Sequence, residues 1–374
     1  DSSSANQIQS GTQSNLLSPD YGNSSTQINQ LGIDQMHAKN ILGDGILITL
    51  LDDGFKNTNT VPYLQNAVKE KRIIATLTTD PSVSSVYTSG GHGTNVLSTI
   101  AGYEPGKLIG TAYKASFALA QTEESRHELI VEEANWLRGA EWADSLGTDI
   151  ISSSLGYSTF DNPLHNHTYA DMNGKSTLVS KAAAWATSKG ILCTISAGNE
   201  GANDWKYITA PADADSILTV GAVNALGGLS SFSSRGPSFD GRIKPDLSAM
   251  GQSVAVLNTA GNATVSSGTS FSSPILCGMV AGLWQALPNK KAQEIIQLLK
   301  ESASDYSAPN NTIGYGIPNF NIAYLKAQIP LFDGISLAFP NPIVDELKIA
   351  EIGVIAPVDI TPGELQLMKE KLKK

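Results

Sequence analysis

Five strand-length apolar runs, separated by longer segments with helical periodicity, constrain the fold of this chain more than any other feature. The runs cover 46–51 (ILITLL), 116–120 (SFALA), 149–154 (DIISSS), 191–196 (ILCTIS) and 217–223 (ILTVGAV). They are largely continuous rather than alternating, as strands buried on both faces of a parallel sheet require. Helices are expected over 93–101, 126–145 and 176–189. In the second, Ile130, Ala134, Leu137, Ala140 and Ala143 recur at three- and four-residue spacing and predict one buried face. Strands alternating with helices predict an α/β fold: a doubly wound, mostly parallel sheet flanked by helices, in a single main domain. Ligand sites in such sheets lie at the carboxyl ends of the strands, so chemistry is to be sought just after each apolar run.

Charge and cysteine content narrow the function classes. Lys plus Arg number 25 against 35 Asp plus Glu, a net charge of −10, and only 16% of residues are charged. That balance excludes nucleic acid and anionic membranes as expected partners, since both need clustered Lys and Arg. No apolar run approaches the ~18 residues that span a bilayer, so no membrane span is expected. Low charge with abundant Gly, Ser and Asn fits an extracellular or cell-surface protein, and a monomer is expected. Cys193 and Cys277 are too few for a disulfide scaffold or a Cys-based zinc cage. Their apolar flanks (ILCTIS, PILCGMVAGL) read as two free buried thiols, with the one possible bridge as the alternative. The chain starts at Asp1 without Met or a basic-then-apolar leader, which reads as a mature or trimmed form.

Composition along the chain suggests three parts. Residues 1–27 are a Ser/Asn/Gln-rich lead-in, 28–327 a globular domain, and 328–374 a short tail.

Four polar motifs stand at the ends of apolar runs. Asp52-Asp53-Gly54 follows ILITLL; by itself it reads as a turn. Gly91-His92-Gly93-Thr94 opens a helical pattern and leaves an uncrowded imidazole. In Ser196-Ala197-Gly198-Asn199-Glu200-Gly201 the amide of Asn199 could donate a hydrogen bond into a cleft. In SSGTSFSSP, Ser270 precedes Pro274 by about one turn, which places the serine at or before a helix N-terminus. Free N–H groups and the helix dipole favour negative charge there, although a plain helix cap is the bland reading. Together the motifs supply a nucleophile, a base, a carboxylate to orient the base and an oxyanion donor. Serine needs an imidazole to take its proton, the imidazole needs a carboxylate, and a tetrahedral oxyanion needs donors aimed at it. Acyl transfer is the chemistry that uses all four.

In the order Asp, His, Asn, Ser, these motifs resemble the subtilisin family of serine proteases (subtilases). The resemblance runs from about Tyr21 to Tyr324 and includes HGTNVLSTIAG, SAGNEG, SSFSSRGP, KPDLSAMG and GTSFSSP. It implies a secreted serine endopeptidase acting on proteins or peptides. Asp52 would orient His92, His92 would be general base and then acid, and Ser270 the nucleophile. Asn199 and the Ser270 amide would form the oxyanion hole. The resemblance also implies that Ser154-Leu155-Gly156 pairs with extended substrate, that Ala197-Gly198 walls the main specificity pocket, and that Thr209 lies near its floor. Pro211 falls where relatives carry a cis proline. A small neutral floor leads to an expectation of medium or large apolar substrate side chains.

Some residues depart from the family pattern. Asp53 stands where Ser or Thr is usual; strand alternation predicts that it points away from Asp52. Met250 replaces a proline in KPDLSAMG. No cofactor is expected for the chemistry. Structural calcium is possible, but YEPGKLIG lacks the Asn-rich insertion of the usual tight site, and Asp171 with Asn173 reads as a turn. His165 and His167 read as surface histidines. Glu123, Glu124, Glu128, Glu132 and Glu133 read as a solvated helix face, with attraction of basic substrate residues as the sharper reading. LAFPNPIVDELKIA in the tail is similar to the opening of a type IX secretion sorting domain. Two further readings stand beside the protease: a catalytically weak module of the same fold that binds extended peptides, and a hydrolase with Asp52 and Asp53 as metal ligands, which needs a third ligand.

Overall fold

The computed structural model describes residues 19–328 apart from Ser125. The sorting-segment reading of the tail, and residues 1–18 of the lead-in, lie outside the described residues. Residues 19–27 pack against the body despite their polar composition. Ser24 Oγ donates to the Ile109 carbonyl at 3.1 Å, and the Gln27 side chain bonds both the N–H and the C=O of Ala255 at 2.9 and 3.1 Å. Those polar side chains are buried because each finds a backbone partner, so the packed body starts earlier than residue 28.

Seven parallel strands form the central sheet: β1 (Leu47–Asp52), β2 (Ile73–Thr78), β3 (Ser116–Gln121), β4 (Ile150–Ser153), β5 (Leu192–Ser196), β6 (Leu218–Val223) and β7 (Leu247–Met250). Their spatial order is β2-β3-β1-β4-β5-β6-β7, all pairs parallel. This is the doubly wound α/β sheet that the runs predict, with β2 and β7 added. The order reverses at β1, so a crevice opens between the carboxyl ends of β1 and β4, the usual place for a site in such a sheet.

Side chains of one strand serve two cores. Ile48, Leu50, Ile150 and Leu192 join the cluster on one face, and Leu51, Ile151, Cys193 and Ile195 the cluster on the other. That division is why the runs are continuous. Helices α1 (His92–Ala101) and α4 (Thr269–Ala286) contribute to the first cluster, and α2 (Val131–Ser145) and α3 (Leu178–Ser188) to the second. Both cysteines are free and buried, and burial pushes each thiol up to about 12.

The helix expected from 126 starts at Val131, and its buried face keeps Ala140 and Ala143 of the expected set, with Ile130 and Leu137 packed against the same core. Ala134 is exposed and Leu137 half-buried, whereas Glu132, Glu133, Trp136, Gly139, Ala140 and Ala143 are buried. The cause is local. Carboxylate oxygens of Glu132 accept the N–H groups of Glu124 and Leu129 at 2.8 and 2.7 Å, which ties both residues to the helix start.

Candidate active site

Asp52 ends β1 and is 1% exposed; His92 is the first residue of α1. His92 Nδ1 lies 2.7 Å from Asp52 Oδ1, which also accepts the Asp53 N–H at 2.9 Å. Glycine makes this approach possible. A Cβ on Gly93 would stand 2.4 Å from the Gly54 carbonyl and 3.0 Å from Asp52 Cβ. Any side chain there would push α1 off the strand end and the imidazole off the carboxylate.

Asp53 does not point away. The chain turns at Gly54 (φ 141°), so strand alternation stops at Asp52 and the expectation fails. Asp53 Oδ1 accepts the Gly93 N–H at 3.2 Å, and ligand-type atoms of Asp52, Asp53 and His92 lie within 4.8 Å of one another. Burial and then the charge of Asp52 push the Asp53 carboxyl up to about 6. Burial opposes charge on His92, but the Asp52 and Asp53 carboxylates outweigh it and raise the ring to about 9. His92 is thus the third ligand-type group that the metal reading needs, and this trio is the metal-capable cluster among the described residues. Its Nδ1 is already paired with Asp52, a geometry that suits orientation of the ring for proton transfer.

Ser270 is the second residue of α4 and 9% exposed. Its N–H belongs to the first helical turn, where no intrahelical acceptor exists. Its Oγ is aimed at the Ser154 carbonyl at 3.4 Å rather than hydrogen-bonded to His92. Hydroxyl–imidazole bonds of this kind are often loose without substrate. Phe271, next to Ser270 in the chain, packs its ring 5.9 Å from that of His92. Pro274 lies deeper in the helix than its first turn, contrary to the expected placement.

Asn199 follows β5 on an exposed loop. Its Oδ1 accepts the Thr269 N–H at 2.8 Å and the Thr269 hydroxyl at 3.1 Å. Both contacts engage the oxygen, so the amide orientation is fixed and Nδ2 is left free to donate into the cleft. Thr269 also accepts the Gly198 N–H at 3.2 Å, tying the β5 loop to the start of α4. Spacing around Ser270 contains Thr269, but nothing in the sequence marks it as the anchor of Asn199.

A cleft of about 220 Å³ joins Asn199, Thr269 and Ser270 to Ser154, Leu155, Gly156, Gly198 and Thr209. Ala197, expected beside them, is fully buried behind the wall. Ala210–Pro211 is cis, matching the expectation for Pro211. Thr209 fills the gap between the two glycines: its Oγ1 lies 2.2 Å from where a Cβ of Gly156 would stand and 2.9 Å from that of Gly198.

The acidic residues are not a solvated helix face. Glu132 and Glu133 are each 1% exposed. Glu133 accepts the Val179 N–H at 3.0 Å and pairs with His167, so His167 is a partner in a buried contact rather than a surface histidine; His165 is exposed. Glu123 and Glu128 sit on the loop before α2 and line the cleft. Asp171 and Asn173 close a turn, accepting N–H groups of Thr168, Lys175 and Ser176.

An oriented imidazole beside a helix-terminal serine, at the carboxyl edge of a parallel sheet, defines a serine hydrolase. Residues 43–316 match the profile of the subtilase family, and the chain belongs to that family of serine endopeptidases. It is 27% identical over 300 residues to subtilisin E of Bacillus subtilis, covering 79% of this chain and 70% of that protein. Similarity to a thermostable alkaline protease of Halalkalibacterium halodurans is 27% over 285 residues, 76% of this chain and 69% of that one. Among solved structures, the prenylagaramide maturation protease PagA superposes with a TM-score of 0.61 at 23% identity, covering 79% of this chain and 97% of that one. As a member of this family it takes protein or peptide substrates, and no described helix is long and apolar enough to cross a membrane.

Proposed function

We propose that the protein is a secreted endopeptidase that works through an acyl-enzyme on Ser270. The observation that carries this reading is the 2.7 Å contact between His92 Nδ1 and Asp52 Oδ1, with the His92 ring packed against Phe271, the residue that follows Ser270. With Nδ1–H held by Asp52, the free Nε2 accepts the Ser270 hydroxyl proton as Oγ attacks the scissile carbonyl. The oxyanion takes hydrogen bonds from Asn199 Nδ2 and the Ser270 N–H. His92 then gives its proton to the leaving amine, and the C–N bond breaks. Water, deprotonated by the same imidazole, hydrolyses the ester and restores Ser270. Extended substrate lies along Ser154-Leu155-Gly156 by backbone pairing, between that segment and Gly198.

No cofactor enters these steps, and the protein is proposed to act as a monomer outside the cytoplasm. The test is hydrolysis of denatured casein: the native protein cleaves it and Ser270→Ala does not. The second reading, a weak module that holds extended peptides, draws on the Ser270 Oγ contact with the Ser154 carbonyl. It predicts peptide binding without turnover in the native protein.

A further inference from the structure

The cleft that holds Ser270 is lined by Glu123, Glu128 and Glu200, and no Lys or Arg among the described residues lines it. None of the three forms an ion pair among the described residues. Glu123 has only neutral partners: its Oε1 accepts the hydroxyls of Thr122 at 2.7 Å and Tyr157 at 2.8 Å. Glu200 accepts the amide of Asn203 at 2.6 Å. Burial and the nearby Glu132 hold the Glu123 carboxyl well above its ordinary range; burial, Glu132 and Asp161 raise that of Glu128 to about 7. Carboxyls so displaced lack a compensating cation.

A second feature of the same cleft is independent of charge. Thr209 is 3% exposed, and its Oγ1 has no hydrogen-bond partner. This atom is wedged against Gly156 and Gly198 at the wall of the cleft that Thr209 lines. A buried hydroxyl without a partner costs about 1–3 kcal/mol, and a substrate group that donates to it removes that cost.

We propose, building on the endopeptidase reading, that the cleft selects peptides carrying lysine or arginine on the acyl side of the scissile bond. An ammonium or guanidinium group is all donor, and the cleft offers acceptors: the Thr209 hydroxyl and the carboxyl oxygens of Glu123, Glu128 and Glu200, whose ionised form an entering cation favours. An apolar side chain would leave these groups unpaired and an acidic one would be repelled, so both are rejected. This reverses the apolar preference expected from a small neutral floor, because Thr209 closes the gap between the glycines and the carboxylates set the charge.

Two measurements on the full chain test this selectivity. In the first, peptides differing only in lysine or norleucine at each acyl-side position are cleaved by the native protein. The second measures binding of the same peptides to Ser270→Ala by fluorescence anisotropy, which needs no turnover. Lysine is expected to be favoured at least about tenfold at one position, the discrimination a hydrogen-bonding site can supply. Glu128→Gln is expected to lower that ratio several-fold, while Glu294→Gln, an exposed carboxylate of another helix, leaves it in place. Equal or better use of norleucine at every position overturns the inference, as does a ratio untouched by Glu128→Gln. Loss of casein hydrolysis with lysine-selective binding retained would instead overturn the endopeptidase reading alone.

Discussion

Ser154 Oγ donates a 2.9 Å hydrogen bond to the carbonyl oxygen of Ser270, an acceptor that the helix itself leaves free. In a regular helix that carbonyl would take the N–H four residues on, but the residue there is Pro274, which has none. Proline inside α4 thus creates a vacant acceptor directly behind the serine, and Ser154, just past β4, fills it. Return contact comes from Ser270 Oγ to the Ser154 carbonyl at 3.4 Å. The start of α4 and the segment just past β4 are fixed to each other.

Ser154→Ala should leave the Ser270 carbonyl buried without a donor and lower stability by about 1–3 kcal/mol. Denaturant titration checks this. In a Pro274→Ala background the helix can supply the missing N–H, so the same substitution should cost less. A double-mutant cycle with no coupling between the two positions would refute the account.

The pH dependence follows from the two aspartates. His92 must be neutral to accept the serine proton, and its ring is held up at about 9, so kcat/KM should rise with pH through the neutral range toward that value. Both carboxylates favour the imidazolium. Asp53→Ser removes one of them, so the ring should lose its proton at lower pH. The rising limb should therefore move to lower pH by about one unit. A pH–rate profile of the two proteins reads the shift; movement toward higher pH would contradict the assignment.

Asn199→Ala should lower kcat by about 10²- to 10³-fold with little change in KM, the loss found when one oxyanion donor is removed. Steady-state kinetics separate the two parameters. A large rise in KM with kcat intact would make Asn199 a ground-state binding residue.

The fold was legible because five of its seven sheet strands are buried almost end to end, with β1, β3, β4 and β5 feeding both cores. β2 was not: its burial alternates and it lies at the sheet edge, so its polar positions hide it. β7, four residues long, lies at the opposite edge of the sheet. Asp52, His92, Asn199 and Ser270 were legible because each follows a strand or opens a helix. Asp53 was misread because alternation was carried one residue past the strand, where Gly54 already turns the chain. The helical spacing that predicted a solvated acidic face missed the reason for its burial. Glu132 and Glu133 take up backbone N–H groups, and such partners come from tertiary structure rather than periodicity.

Far from the cleft, at the amino ends of β6 and β7, Asp246 lies 2.7 Å from the ammonium groups of both Lys244 and Lys300. Burial alone would raise its carboxyl, but the two lysines overcome this and hold it at about 2. Unfolded, it would titrate near ~3.9, so its stabilisation is complete above that pH and is lost as pH falls through about 2. Asp246→Ala strands Lys244 as a buried uncompensated charge and should cost about 3–5 kcal/mol. Thermal melts between neutral and acid pH should show a much smaller acid dependence in whatever folded variant remains.

The central claim, that Ser270 is an activated nucleophile, is tested most directly by a fluorophosphonate probe followed by mass-spectrometric mapping. The account predicts one adduct per chain, on Ser270, lost in His92→Ala and blocked by a competing peptide substrate. A folded native protein that stays unlabelled, or carries the adduct on another residue, would contradict it.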